Sequence, residues 1–132
     1  MTHGRNAATP ALLGIRHVAL YVGDLAAAER FWVDVMGYAV EWRPDPDNVY
    51  LVGGRDNLAL HRGETVGDGR LDHIGLAVPA ATDVDAWAAH LAARGVVIDK
   101  LPKTHRDGSR SLYFRAPDGL LVQIIHHSPM VG

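Results

Sequence analysis

An α+β fold of two tandem βαβββ modules, making a cleft-shaped mixed sheet with the helices outside, is what this sequence predicts. Three observations predict it. Leu71 to Ala80, LDHIGLAVPA, repeats imperfectly Ile15 to Asp24, IRHVALYVGD, with His73 and His17 at matching places. Phe31 and Trp87 follow those histidines at equal distance, so the repeat runs on through a helix. After each helix the chain breaks into short β-rich runs parted by Gly, Pro, Asp and Asn.

The first module opens with a strand over 15–22, closed by the turn signal Gly23-Asp24. Alternation puts His17, Ala19 and Tyr21 on one face and Val18, Leu20 and Val22 on the other. Asp24 can cap a helix over 25–36 that stops at Gly37. Leu25, Ala28, Phe31/Trp32 and Val35 recur at helical spacing as its apolar stripe. Strands at 38–43, 48–52 and 58–61 follow, separated by PDPDN and GGRDN. The GGR at 53–55 is a hairpin turn with no helix after it, hence no phosphate loop.

The second module places His73, Gly75 and Ala77 on one face and Ile74, Leu76 and Val78 on the other. Thr82 with Asp85 resembles a capping box for a helix over 83–94 that ends at Gly95, with Val84, Trp87 and Leu91 as its stripe. Strands at 96–100, 111–115 and 120–126 complete the module, the loop PKTHRDGSR lying between the first two. The modules span about 15–62 and 71–127 of a single domain over 14–132, and residues 1–13 read as a loose tail. Only GETVGDGRL separates the halves, too little for a linker between independent domains.

Composition narrows the function classes. A chain of 132 residues with 48% apolar and 21% charged residues suits one globular domain. A net charge of −2 gives no reason to expect nucleic acid or an anionic membrane as partner. No apolar run approaches the ~18 residues of a membrane span, and the first residues lack a signal-peptide pattern. The absence of cysteine excludes disulfides, thiolate ligands and a cysteine nucleophile, and fits a cytoplasmic location.

Each module thus carries a histidine on a strand face beside small residues, which leaves room above the imidazole. One strand histidine alone is more often a polar residue satisfied by a carbonyl. Two on related strands face one pseudo-symmetric cleft, and an imidazole pair with an oxygen ligand suits a divalent first-row metal. Gln123, on the last strand, is the oxygen candidate. His126 and His127 end that strand and read as surface residues, His127 being four residues and ~13 Å beyond Gln123. His90, Glu29 and Arg30 read as solvated, His3 as tail, and Trp32, Trp42 and Trp87 as core.

RHVALYVGDLAAAERFWVDVMGY, DHIGLAV and YFRAPDGLLVQI resemble the vicinal oxygen chelate superfamily, which includes glyoxalase I, bleomycin- and fosfomycin-resistance proteins, methylmalonyl-CoA epimerase and extradiol dioxygenases. The resemblance covers Ile15 to His126. It implies metal ligands at His17, His73 and Gln123, with a fourth, where relatives have one, near Ala59 to His61. THRDGSRSLYFRAPDGLLVQ is similar to the signature around the active site of extradiol ring-cleaving dioxygenases, with His105, Tyr113, Pro117 and Gly119 at suitable spacing. By that likeness His61 and His105 handle protons or steady oxygen intermediates, and Tyr113 hydrogen-bonds a substrate oxygen. The implied cofactor is iron(II), with manganese, zinc or nickel as other occupants, the substrate a small catechol-like aromatic or vicinal-oxygen compound, and the assembly a homodimer.

The dioxygenase signature carries a glutamate where this chain has Gln123. A neutral amide offers one carbonyl oxygen and no charge, so Gln123 permits a weakened iron site, a different metal, or a pocket kept for binding alone. Three functions follow. The first is an extradiol-type dioxygenase. The second is a glyoxalase- or epimerase-like lyase or isomerase, disfavoured because Glu41 lies early in the chain and Asp72 faces away from His73, leaving His61 as the available base. The third is a metal-free protein that binds an aromatic antibiotic or metabolite.

Overall fold

The computed structural model describes residues 5–64, 69–116 and 119–131. Its elements run β1 (Gly14–Val22), α1 (Leu25–Arg30) continued by a wider π-helical turn (Phe31–Val35), β2 (Ala39–Asp45), β3 (Asn48–Val52) and β4 (Asn57–Arg62). They continue with β5 (Leu71–Ala77), α2 (Ala81–Ala93), β6 (Ile98–Thr104), β7 (Arg110–Arg115) and β8 (Leu121–His126), then a 3₁₀ turn at Ser128–Met130. The expected double βαβββ order is therefore present. Part of GETVGDGRL, and Pro117 of the dioxygenase-like signature, lie outside the described residues.

The strands form one mixed eight-stranded sheet in the order β2-β3-β4-β1-β5-β8-β7-β6. Within each module the first strand pairs in parallel with the last, β1 with β4 and β5 with β8. The modules join through the antiparallel pair β1–β5, which sets His17 opposite Gly75 and Ala19 opposite His73. The histidine faces of both modules thereby meet at the centre.

The opposite faces bury the core. Leu25 of α1 packs with Val49, Leu51, Leu58 and Leu60, joined by Val18, Leu20 and Val22 of β1. Under α2, Val84 and Leu91 pack with Val78, Leu112 and Ile124, joined by Leu76 and Trp87. Each such aliphatic side chain taken from water contributes ~1.5–3 kcal/mol before entropy is counted. These clusters hold the sheet to its helices and leave the other face free.

The helices differ from expectation in two ways. Asp24 does cap α1, accepting from the Ala27 N–H at 3.0 Å, and Gly37 follows with φ +81°. The helix widens after Arg30, however, with Met36 N–H donating to Phe31 C=O at 3.2 Å. The wider turn advances later side chains around the axis, so Trp32 and Val33 pack inward while Phe31 and Val35 stand 48% and 69% exposed. In α2 the cap lies two residues earlier than the Thr82/Asp85 pair: Asp83 accepts from the Ala80 N–H at 2.9 Å. Strand β6 begins later and runs longer than expected, taking up Pro102 to Thr104 of the PKTHRDGSR loop.

Ahead of β1, residues of the expected tail touch the sheet. Leu13 N–H donates to Ala77 C=O at 2.7 Å, and Trp87 Nε1 donates to Ala11 C=O at 2.9 Å.

Candidate metal centre

The central strands bring His17, His73 and Gln123 together. Register places His17 opposite Gly75 across β1–β5, and Gly75 beside Gln123 across β5–β8. A side chain at position 75 would not fit there, because a Cβ added to Gly75 lies 2.5 Å from His17 Cβ. Glycine lets the His17 ring lie across β5 toward His73. The two Nε2 atoms come within 2.9 Å, each residue being 5% exposed. Burial, with the His73 imidazole beside it, pushes His17 down to about 4. Gln123 is 4% exposed, and its Oε1 is buried with no hydrogen-bond partner.

These donors fit a divalent cation. Two nitrogens each ~2.1 Å from one ion and at right angles about it stand ~3.0 Å apart, close to the spacing here. An amide oxygen left unpaired in the interior costs ~1–3 kcal/mol, which an ion would remove. Among the described residues no three His, Cys, Asp or Glu side chains converge on a metal position; the third donor expected from the sequence, the Gln123 amide, is of another type. Of the stretch expected to offer a fourth ligand, Ala59 to His61, His61 brings ring nitrogens to the cavity lining. β4 sets Asn57 opposite His17, while Ala59, fully buried, carries no donor atom.

Hydrogen bonds hold both imidazoles from behind. Asn57 Oδ1 lies 2.7 Å from His17 Nδ1, and Asn57 Nδ2 donates to Glu41 Oε1 at 3.2 Å. Asp72 Oδ2 lies 2.9 Å from His73 Nδ1, while Tyr21 OH donates to Asp72 Oδ1 at 3.0 Å. Asp72 does not face away from His73. Pairing steps from Ala19–His73 to Leu20–Leu71, so Asp72 is the extra residue of a β-bulge, which re-aims its side chain. Glu41 enters the site likewise, as the extra residue between the pairs Val40–Leu51 and Trp42–Tyr50. Burial pushes its carboxyl up, and Asp107 adds to the effect.

A cavity of about 470 Å³ opens over the pair, and His61, His105 and Tyr113 all line it. His61 Nδ1 lies 2.6 Å from Asn48 Oδ1, and His105 Nε2 lies 2.8 Å from Ser111 Oγ. Burial lowers both imidazoles below their usual 6.5. Tyr113 stands opposite Gln123 in the β7–β8 register, its ring edge-on to His73 at 5.3 Å. Burial pushes its phenol up to about 12, so it is a neutral hydroxyl donor.

Two residues that the sequence places elsewhere, His127 at the surface and Trp42 in the core, also line the cavity. His127 is no surface residue: its side chain is 15% exposed, 4.0 Å from Glu41 and 3.7 Å from Asp107. β8 stops at His126, and a 3₁₀ turn at Ser128–Met130 follows. Arg16 pins that turn, Nη1 donating to Met130 C=O at 2.7 Å. Trp42 belongs to the cavity and not the core, stacked on Tyr50 at 5.5 Å and 17°. Trp32 and Trp87 do pack on the two cores.

Comparison with known proteins agrees with this fold. The model of the Glyoxalase/Bleomycin resistance protein/Dioxygenase superfamily matches residues 14–124, and the chain belongs to that superfamily. An uncharacterised protein of Bacillus subtilis (strain 168), YqjT, is 26% identical over 128 residues, covering 84% of this chain and 97% of its own. The Mn(II)-bound glyoxalase from Novosphingobium aromaticivorans superposes with a TM-score of 0.74 at 28% identity, over 89% of this chain and 40% of that one. Homoprotocatechuate 2,3-dioxygenase from Brevibacterium fuscum, solved with 3,4-dihydroxyphenylacetate, shares the fold with a TM-score of 0.73 at 24% identity, over 93% of this chain and 39% of that one. The chain thus spans about two-fifths of either solved relative. Divalent metal and small-molecule substrates are properties of the superfamily.

Proposed function

We propose that this chain is a metal-dependent extradiol-type dioxygenase acting on a catechol-like aromatic, with iron(II) held by His17, His73 and Gln123. The observation that carries the reading is the convergence of His61, His105 and Tyr113, drawn from both modules, on one cavity with that donor set. When bound, the metal supplies Lewis acidity to adjacent substrate oxygens and the redox partner for dioxygen. The chain's residues do the remainder. Asn48 Nδ2 donates to Asp45, which turns Asn48 Oδ1 toward His61 Nδ1. The His61 proton is therefore on Nδ1, and its Nε2 is free to take a proton from a substrate hydroxyl. Tyr113, neutral, donates to a substrate oxygen, and His105 presents a neutral imidazole. A neutral donor set leaves the ion its full charge, which favours an anionic catecholate over a neutral ligand.

Oxygen uptake by iron(II)-loaded protein over a panel of catechols tests this. The expected result is turnover by the wild type that falls sharply in His61→Gln and Tyr113→Phe. Silence in both wild type and Gln123→Glu would sink the reading.

Glu41 favours a second reading, a glyoxalase- or epimerase-like isomerase or lyase, because it supplies the cavity carboxylate that such proton transfer needs. Exchange of solvent deuterium into α-hydroxycarbonyl or acyl-thioester substrates, followed by NMR and abolished in Glu41→Gln, would select it. Stoichiometric binding of aromatics by metal-free protein would favour a binding role over both. We also propose a cytoplasmic homodimer: the chain has no cysteine, and Phe31, Val35 and Met36 expose apolar surface around the wide helical turn. Sedimentation equilibrium of the untagged protein tests the dimer, and a monomer at micromolar concentration would refute it.

A further inference from the structure

We propose that Asn57 is a positioning residue that keeps the imidazole pair open to a cation by fixing which nitrogen of His17 carries the proton. The inference rests on reading His17 and His73 as metal ligands, and assigns to Asn57, opposite His17 in the β1–β4 register, the task of positioning one of them.

The argument is a count of donors and acceptors. An amide nitrogen only donates, and Asn57 Nδ2 is committed to Glu41 Oε1 at 3.2 Å. That turns Asn57 Oδ1, an acceptor, toward His17 Nδ1 at 2.7 Å, so Nδ1 must bear the hydrogen. Across the pair, the Asp72 carboxylate accepts from His73 Nδ1 at 2.9 Å and is itself held by the Tyr21 hydroxyl. A neutral imidazole has a single N–H. Both Nε2 atoms, 2.9 Å apart, therefore turn lone pairs toward one another.

Such a pair has an easy escape. Were the His17 proton to move to Nε2, it would donate to His73 Nε2 at good distance, and the two ligands would satisfy each other. Asn57 closes that route, since moving the proton would leave its own Oδ1 facing an unprotonated Nδ1. Asn57 is 6% exposed and His17 5%, so water cannot replace the lost bond. The Nε2 lone pairs stay available, and a cation relieves their repulsion. Glu41 is the outer anchor of the arrangement, brought there by the β2 bulge.

Nitrogen-15 NMR of metal-free protein at pH 8, with calorimetric titration of zinc(II), tests this on wild type, Asn57→Leu and Asn57→Asp. Wild type should carry both ring protons on Nδ1. In Asn57→Leu the His17 proton should move to Nε2, and zinc(II) affinity should fall by ~10–100-fold, the usual effect of losing a partner behind a metal-bound histidine. Asn57→Asp keeps the acceptor and should restore the tautomer and most of the affinity. A merely structural Asn57 would change the melting temperature and leave the tautomer alone. An Nε2–H on wild-type His17 overturns the inference even if Asn57→Leu does not fold. Equal zinc(II) affinity in wild type and Asn57→Leu overturns it while leaving the metal centre standing. No uptake of zinc(II), manganese(II) or iron(II) by wild type overturns the metal centre itself, and this role for Asn57 with it.

Discussion

Gly75 and Gln123 show how single residues set this site. The Cβ that alanine would add at position 75 meets His17 Cβ at 2.5 Å, a branch atom that no rotamer can move aside. Gly75→Ala should cost ~1–3 kcal/mol through overpacking and displace the His17 ring. Gly54→Ala, where nothing lies within 4 Å, should be near neutral. Urea midpoints of the two variants against wild type check this. Gln123→Glu places a carboxylate where the buried amide oxygen has no partner. The metal-free variant should melt below wild type and gain more from added iron(II) or manganese(II), since ligand binding to the folded state alone adds stability. Thermal melts with and without metal give the answer, and equal gains in both proteins would count against Gln123 as a ligand.

At the scale of elements, the regular strands position the ligands and the irregular steps complete the site. His17 and His73 follow from alternation along β1 and β5. Asp72 and Glu41 reach the cavity because each is the extra residue of a bulge. Bulges depend on how two strands pair and leave no mark in either strand's own pattern, so alternation turned Asp72 away from His73, and nothing local brought Glu41 to the site. For His127 the misleading quantity is distance along the strand, because the cavity extends past the end of β8. The helices act at a distance by covering the far face. Ile124, fully buried beneath α2, should cost ~2–5 kcal/mol as Ile124→Ala, read from the urea midpoint. Asp24→Ala, removing the α1 cap, should cost ~0.5–2 kcal/mol in the same assay.

For the whole molecule, buried histidines make the metal-free protein sensitive to acid. His61 and His105 lie below their usual 6.5, chiefly through burial. Above pH 6.5 they are neutral in both folded and unfolded chains and cost nothing. As pH falls through 6.5 the unfolded chain takes up protons first, so stability declines until the folded values are reached. The urea midpoint should drop between pH 8 and pH 5, and by less in a His61→Gln/His105→Gln double variant. An equal drop in both proteins would mean that these two imidazoles are not held low.

The duplicated strand motif, the order of elements, the apolar faces and the meeting of His17 with His73 were legible in the sequence because they are repeats of period two, period 3.6 or whole-module length. Such patterns survive in a linear chain. Which strands bulge, where α1 widens, where β8 ends, and that Asn57 and Asp72 stand behind the two imidazoles were decided only in the tertiary structure. These depend on register between strands far apart in the chain, which no local pattern records.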